Sequence, residues 1–257
     1  TGSENTALGK NALGANTTAS YNVAVGYQAL DANTTGSQNN AFGNGALGAN
    51  TTANDNTAMG SGALTTNTTG ASNTGLGRAA LNANTTASNN TAVGYYALVA
   101  NTTGANNVAV GIGFNTLGAS TTAQHNVAIG TYSGQSSTTG AENVSMGTYS
   151  FDANTTGGSN TALGHYSLTA STTASNNTAV GWRSLMGTTT GATNTAIGYN
   201  ALDSNTTGSY NVALGASSGA NITTGEENVC IGYAAGIETE VFNITTEDKR
   251  IAMGSKA

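Results

Sequence analysis

Hydrophobic and polar positions follow one short pattern that repeats along nearly the whole chain. A large apolar residue directly precedes a glycine, and this anchor glycine recurs at positions 9, 26, 43, 60, 77, 94, 111, 130, 147, 164, 181, 198, 215 and 232. Twelve of the thirteen intervals are 17 residues long, and the interval from Gly111 to Gly130 is 19. A fixed period this short is typical of solenoids and fibres, in which each unit contacts mainly its neighbours.

The five residues that end at each anchor glycine alternate as a β-strand does, and NVAVG at 22–26 is an example. Asn, a small residue and the glycine fall on one face, while Val or Thr and the large apolar residue fall on the other. The small face suits a narrow interior. The apolar face forms a stripe too long for a soluble monomer to expose, so we expect it to be an interface between chains. Three chains closed around the fibre axis would bury every copy.

The first residue of this strand pattern is Asn in all fourteen units. Identical Asn side chains stacked one coil apart can join their amides in a ladder of hydrogen bonds. The predicted structural ladder consists of Asn5, Asn22, Asn39, Asn56, Asn73, Asn90, Asn107, Asn126, Asn143, Asn160, Asn177, Asn194, Asn211 and Asn228.

The repeat therefore predicts an all-β fold: a parallel β-solenoid or β-roll of about fourteen 17-residue coils, assembled as a homotrimeric fibre. Proline, which would remove a donor from the ladder, is absent. We predict a repeat domain over 1–236, with a two-residue insertion near 112–117. Residues 226–257 hold nine of the eighteen charged residues, so 237–257 is interpreted as a charged cap or a junction to a further domain. We expect the chain to be a segment of a longer protein.

The motifs NVAVG (22–26 and 107–111) and NVAIG (126–130) resemble the repeats in YadA-like heads of trimeric autotransporter adhesins. The spacer ALDANTTG and the later ITTGEENVCIGYAAG are similar to repeat regions of bacteriophage tail fibres. This resemblance covers roughly residues 1–236. It implies a trimeric, left-handed parallel β-roll that serves as an extracellular attachment device. The favoured role is the shaft or receptor-binding region of a virion tail fibre, and the alternative is a bacterial surface adhesin head.

Composition indicates a binding or structural protein rather than an enzyme. Six Lys and Arg against twelve Asp and Glu, spread thinly, argue against nucleic acid. No apolar run is long enough for membrane insertion. Cys230 stands alone, and His125 and His165 lie in different units at different repeat positions. We therefore predict no catalytic, metal or cofactor-binding residue and no cofactor.

The two variable positions after each anchor glycine are the predicted recognition surface. Aromatic residues that interrupt a repeat at an exposed edge can stack on a cell-surface glycan or anchor a protein receptor, although they can also simply pack on one another between coils. The candidates are Tyr27, Tyr95, Tyr96, Tyr132, Tyr149, Tyr166, Trp182, Tyr199 and Tyr233.

The recurring Asn-Thr-Thr motif allows two other interpretations of the function. One is an ice-binding β-solenoid, which would display two parallel columns of threonine side chains on one flat face. Two threonines of one strand face the same side only when they are two residues apart, whereas the threonines of this chain are adjacent. The other is N-glycosylation, because Asn-x-Thr is the acceptor motif. The simpler alternative is that these asparagines occupy turns and stack between coils.

Overall fold

The computed structural model describes residues 2–111, 115–237 and 246–255. It is all-β, with fifteen parallel strands of three residues that form a β-solenoid of about 13 turns. The described residues contain no helix, and so none that could cross a membrane. The chain divides into two compact units, Thr1–Asn126 and Val127–Ala257, and each is built in the same way. The predicted all-β parallel solenoid is confirmed.

The first unit contains seven strands: β1 (Thr6–Leu8), β2 (Val23–Val25), β3 (Asn40–Phe42), β4 (Thr57–Met59), β5 (Thr74–Leu76), β6 (Thr91–Val93) and β7 (Val108–Val110). Each strand pairs with the next along the chain, in parallel and without a register shift. Ala24, for example, lies opposite Ala7 and Ala41. Equivalent residues of successive repeats therefore stack in columns.

The second unit contains eight strands: β8 (Val127–Ile129), β9 (Val144–Met146), β10 (Thr161–Leu163), β11 (Thr178–Val180), β12 (Thr195–Ile197), β13 (Val212–Leu214), β14 (Val229–Ile231) and β15 (Ile251–Met253). Their pairing is again parallel and in register. The last strand lies within 237–257, the segment interpreted from sequence as a cap. Val229 pairs with Ile251, so this segment adds one more strand to the unit.

The coil turns at residues with a left-handed backbone, such as Gln28, Leu30 and Gln38, whose φ angles are 55°, 51° and 62°. Bulky residues such as Leu rarely adopt this conformation. Hydrogen bonding and burial offset its cost: the N–H of Leu30 donates to Ala46 O at 3.0 Å, and the side chain is fully buried. Gly26 follows the strand with φ 134°, and a Cβ there would lie 2.5 Å from Gly43 O. The anchor is therefore glycine because the next coil approaches too closely for any side chain.

The core of each coil lies between the middle of the strand and the following turn. In the first unit the mid-strand Ala24 and the turn residue Leu30 are completely buried, as are their equivalents in later coils. In the second unit the same positions include Ala162 and Leu168. The interior of a coil therefore holds one small side chain from the strand and one large side chain from the turn. This confirms the predicted narrow interior lined by the alanine face of the strand.

The invariant asparagines stack as a ladder inside the coil. Asn39 Nδ2 donates to Asn22 Oδ1 at 3.2 Å and to Ala53 O at 2.8 Å, and its backbone N–H also donates to Asn22 Oδ1 at 2.9 Å. All seven successive pairs from Asn5 to Asn126 share the backbone bond. In the second unit the backbone bond links successive ladder asparagines from Asn143 to Asn228. Arg250 occupies the next position, and its backbone N–H donates to Asn228 Oδ1 at 2.9 Å.

Candidate recognition surface

The large apolar residue of each strand lies on the face opposite the core, and it is exposed in seven of the described strands and half-buried in the other eight. Met59 is 49% exposed, whereas the preceding Ala58 is fully buried. Because neighbouring strands lie about 4.8 Å apart, these residues form one apolar column in each unit. The column of the first unit is Leu8, Val25, Phe42, Met59, Leu76, Val93 and Val110, and that of the second is Ile129, Met146, Leu163, Val180, Ile197, Leu214, Ile231 and Met253.

The predicted aromatic candidates fall into two further columns that differ in exposure. Tyr27, Tyr95, Trp182, Tyr199 and Tyr233 directly follow the anchor glycine and, apart from Tyr95, are exposed. Tyr96, Tyr132, Tyr149 and Tyr166 occupy the next position, a left-handed corner, and are all half-buried. The two groups therefore have different surroundings, which the sequence pattern does not distinguish.

The corner tyrosines of the second unit pack on one another. The ring centres of Tyr132 and Tyr149 are 5.0 Å apart with planes inclined by 16°, and those of Tyr149 and Tyr166 are 5.4 Å apart and inclined by 7°. Such offset stacking uses the ring faces that a ligand would need. These three side chains are best explained as packing between coils, one of the two interpretations of the sequence.

Trp182 and Tyr199 form a more exposed stack beside an ion pair. Their ring centres are 5.0 Å apart, with an interplanar angle of 10°. The guanidinium carbon of Arg183 lies 5.1 Å from the Trp182 ring centre, and Arg183 Nη2 is 3.3 Å from Asp203 Oδ2. The next residue in this column is Ala216, and Tyr199 is 53% exposed. This arrangement offers an aromatic surface with charged groups at its edge.

In the first unit, Tyr95 and Tyr96 meet edge to face, with ring centres 4.3 Å apart. Arg78 on the preceding coil donates from Nη1 to the Tyr95 hydroxyl at 3.3 Å. These contacts hold Tyr95 more firmly than Tyr27, which is 45% exposed.

Two exposed tyrosines lie outside the predicted set. Tyr21 and Tyr210 both precede a ladder asparagine, at a left-handed position, and both are exposed. A hydrogen bond and the negative charge of Glu4 raise the pKa of Tyr21 above its ordinary value. Their shared position, directly before a ladder asparagine, is the sequence signal that could have identified them.

From Asn33 onward, each Asn-Thr-Thr segment has a buried asparagine, a half-buried first threonine and an exposed second threonine, whereas Asn16 is half-buried. Asn33 is completely buried and donates from Nδ2 to Gly36 O at 2.8 Å, so its amide is inaccessible to a glycosylating enzyme. Thr34 Oγ1 donates to Thr51 O at 3.0 Å, and Thr35 is exposed. The two threonines of each segment therefore form one outward column of threonine side chains per unit, whereas an ice-binding face would use two such columns.

Charged side chains near β15 form ion pairs, Lys249 with Glu227 and Arg250 with Glu247. His125 contacts Asn106 at 3.2 Å, and no three His, Cys, Asp or Glu side chains among the described residues could share a metal ion. Burial raises the pKa of the Cys230 thiol to about 11. A buried thiol that stays protonated at neutral pH is a poor nucleophile.

Comparison of the chain with protein-family models, with curated proteins and with solved structures gives no match.

Proposed function

We propose that the chain is a structural and attachment protein, the homotrimeric shaft or receptor-binding region of a bacteriophage tail fibre. One observation carries this proposal. In each unit the mid-strand residues after β1 are buried, whereas the outward apolar column contains exposed and half-buried side chains, so the fold leaves apolar surface uncovered in a single chain.

A second copy of the chain is the natural cover for this surface. Large exposed apolar patches mark interaction sites, because water-exposed apolar area costs free energy that association recovers. Parallel chains related by a rotation axis along the fibre present the same column to one another and close without a leftover copy. The number three and the tail-fibre setting come from the resemblance in the repeat motifs.

The proposed attachment mechanism combines a hydrogen-bonded scaffold with aromatic residues exposed on its surface. Within each unit, backbone and asparagine hydrogen bonds join successive coils, so each unit resists local opening. The exposed aromatic residues after the anchor glycines interrupt the repeat without disturbing that core. Three copies per fibre would present each of them threefold and raise the avidity for a cell surface.

Binding of the fluorescently labelled chain to intact cells tests this function directly. A tail fibre is expected to bind a subset of bacterial strains and not animal cells. The Trp182→Ala and Tyr199→Ala variants should bind more weakly, whereas Tyr149→Ala, within the packed stack, should bind as the wild type does. Binding only to animal cells would instead support a bacterial adhesin head, and binding to neither would contradict an attachment role.

A further inference from the structure

The first unit contains a polar slot that the repeat pattern did not indicate. It has a volume of about 310 Å³, with Gln28 and Asp31 on one side, Thr65 and Thr66 on the other, and Gly45 and Gly48 between them. These three groups belong to successive coils, so the two sides are separated by about two strand spacings, roughly 9.6 Å.

The slot exists because glycine occupies a position at which the backbone conformation and the packing would allow a larger residue. Gly45 has a φ of 65°, and the same repeat position carries Gln28 and Ala79 at φ 55°. Left-handed backbone therefore does not require glycine here. A Cβ on Gly45 would come no closer than 3.9 Å to Thr65 Oγ1, so packing does not require glycine either. The following coil repeats the gap with Gly62.

The groups around the slot offer hydrogen-bond acceptors. Thr65 Oγ1 donates its proton to Gly45 O at 3.0 Å, and Thr66 Oγ1 donates to Asn82 O at 2.6 Å. Because both hydroxyl protons are used within the protein, these oxygens present only lone pairs to a ligand. The half-buried Asp31 carboxylate adds further acceptors and accepts from Gln28 Nε2 at 3.4 Å.

A suitable ligand must therefore donate several hydrogen bonds without carrying negative charge. A phosphate or sulfate would meet lone pairs and a carboxylate, which repel it. A calcium ion needs six to eight oxygen ligands, usually from more than one carboxylate. A neutral saccharide, which carries a hydroxyl donor on most carbons, fits these acceptors. The volume is at the lower end of ligand pockets, roughly 300–1,000 Å³, and suits one or two sugar rings.

We propose that this slot binds a neutral saccharide unit, whose hydroxyl groups donate to Asp31 and to the two threonine oxygens. The proposal rests on the attachment function above, because the saccharide would belong to a glycan on the host cell. Tyr27, the exposed residue before Gln28, adds an aromatic ring to the same coil.

The test uses the full chain on an array of neutral hexose oligosaccharides and bacterial surface polysaccharides, followed by titration calorimetry with the best binder. Gly45→Gln should fill the slot and weaken binding at least about tenfold, since it displaces the ligand from several hydrogen bonds. The matched control Ala79→Gln places the same side chain at the same repeat position outside the slot and should leave the affinity unchanged. Asp31→Asn removes the charge without filling the slot and should weaken binding about tenfold even if Gly45→Gln folds poorly.

Saccharide binding that survives both Gly45→Gln and Asp31→Asn would overturn the proposal. So would a wild-type chain that binds host cells but no saccharide, and in either case the attachment function would stand. A chain that binds neither saccharides nor cells would overturn both.

Discussion

The interior of Thr1–Asn126 repeats nearly the same residues in every coil, whereas the interior of Val127–Ala257 changes from coil to coil. In the first unit the Asn-Thr-Thr asparagines form a second ladder from Asn16 to Asn101, in which Asn67 Nδ2 donates to Asn50 Oδ1 at 3.0 Å, and Ser120 ends it. In the second unit this column reads Ser137, Asn154, Ser171, Thr188, Asn205 and Ile222. The Oγ of Ser171 and the Oδ1 of Asn205 are buried there without a hydrogen bond. Among the described residues of the first unit this holds only where the ladder ends, at the Oδ1 of Asn101 and the Oγ of Ser120.

Serine side chains compensate for part of this irregularity. The residue before the buried turn leucine is mostly Ala in the first unit and mostly Ser in the second. Ser150 Oγ donates to Ala162 O at 2.9 Å, and Ser184 Oγ donates to Ala196 O at 2.9 Å. A parallel solenoid therefore accepts two interiors: one with stacked amides, and one in which serine hydroxyls donate to the strand carbonyl of the following coil.

The largest expected difference concerns the second asparagine ladder. Asn67→Ala removes two bonds donated by Nδ2, to Asn50 Oδ1 and Gly70 O, and the bond that Asn84 donates to Asn67 Oδ1 at 2.8 Å. We expect a loss of about 3 kcal/mol in the free energy of unfolding, because buried partners are left unsatisfied. Asn154→Ala, in the interrupted column, should cost about half as much. Urea denaturation measures both, and equal losses would show that the ladder adds nothing beyond single bonds.

The coil of β13 offers a second test, because a small residue occupies its usual leucine position and a larger apolar residue occupies its usual asparagine position. Gly219 stands where most coils have Leu, and Ile222 occupies the position of the Asn-Thr-Thr asparagine. A Cβ on Gly219 would lie 3.1 Å from Leu202 Cδ2 and 3.2 Å from Ile222 Cδ1. Gly219→Leu alone should destabilise the protein by about 1–3 kcal/mol through overpacking.

Adding Ile222→Asn to Gly219→Leu should recover most of this loss. The new amide can donate to Asn205 Oδ1, which is unsatisfied in the wild type. A double-mutant cycle from thermal or urea unfolding is expected to give a favourable coupling of about 1–3 kcal/mol. Additive losses would mean that the two positions do not share space.

Smaller effects are expected at the serine column. Ser184→Ala removes the hydrogen bond to Ala196 O and should cost about 1 kcal/mol of unfolding free energy. Ala46→Ser is the matched change in the first unit. It should be nearly neutral, because the new hydroxyl replaces no existing hydrogen bond and can reach Ala58 O in the following strand, the position equivalent to Ala196 O. A large loss from Ala46→Ser would contradict the view that the two interiors are interchangeable.

The smallest expected effect is a pH dependence at Asp152 in the second unit. Burial raises the pKa of this carboxyl above its ordinary value of 3.8, against the lowering effect of backbone hydrogen bonds. The folded protein therefore holds this proton more tightly than the unfolded chain does, so stability falls as pH rises through the interval from 3.8 to the raised pKa. Asp152→Asn should flatten that part of the stability profile by less than about 1 kcal/mol. Denaturation curves across this interval that are identical for both proteins would exclude the effect.

Periodicity and alternation were enough to predict the parallel solenoid, the buried alanine face and the exposed apolar columns. They missed β15, because Arg250 replaces the ladder asparagine and the spacing from Gly232 to Gly254 is 22 residues rather than 17. They also missed the polar slot around Gly45, because an absent side chain leaves no mark in a glycine-rich repeat. Stacking of Tyr132, Tyr149 and Tyr166 depends on rotamers between coils, which spacing alone does not determine.

Molecular mass in solution tests the central claim most directly, namely that the apolar columns are covered by other copies of the chain. Light scattering coupled to size exclusion is expected to give three times the chain mass of 25.2 kDa. Met59→Lys, which places a charge in the middle of the first column, should shift the mass toward that of one chain. A wild-type protein that elutes as a monomer of 25.2 kDa across the micromolar range would contradict the account.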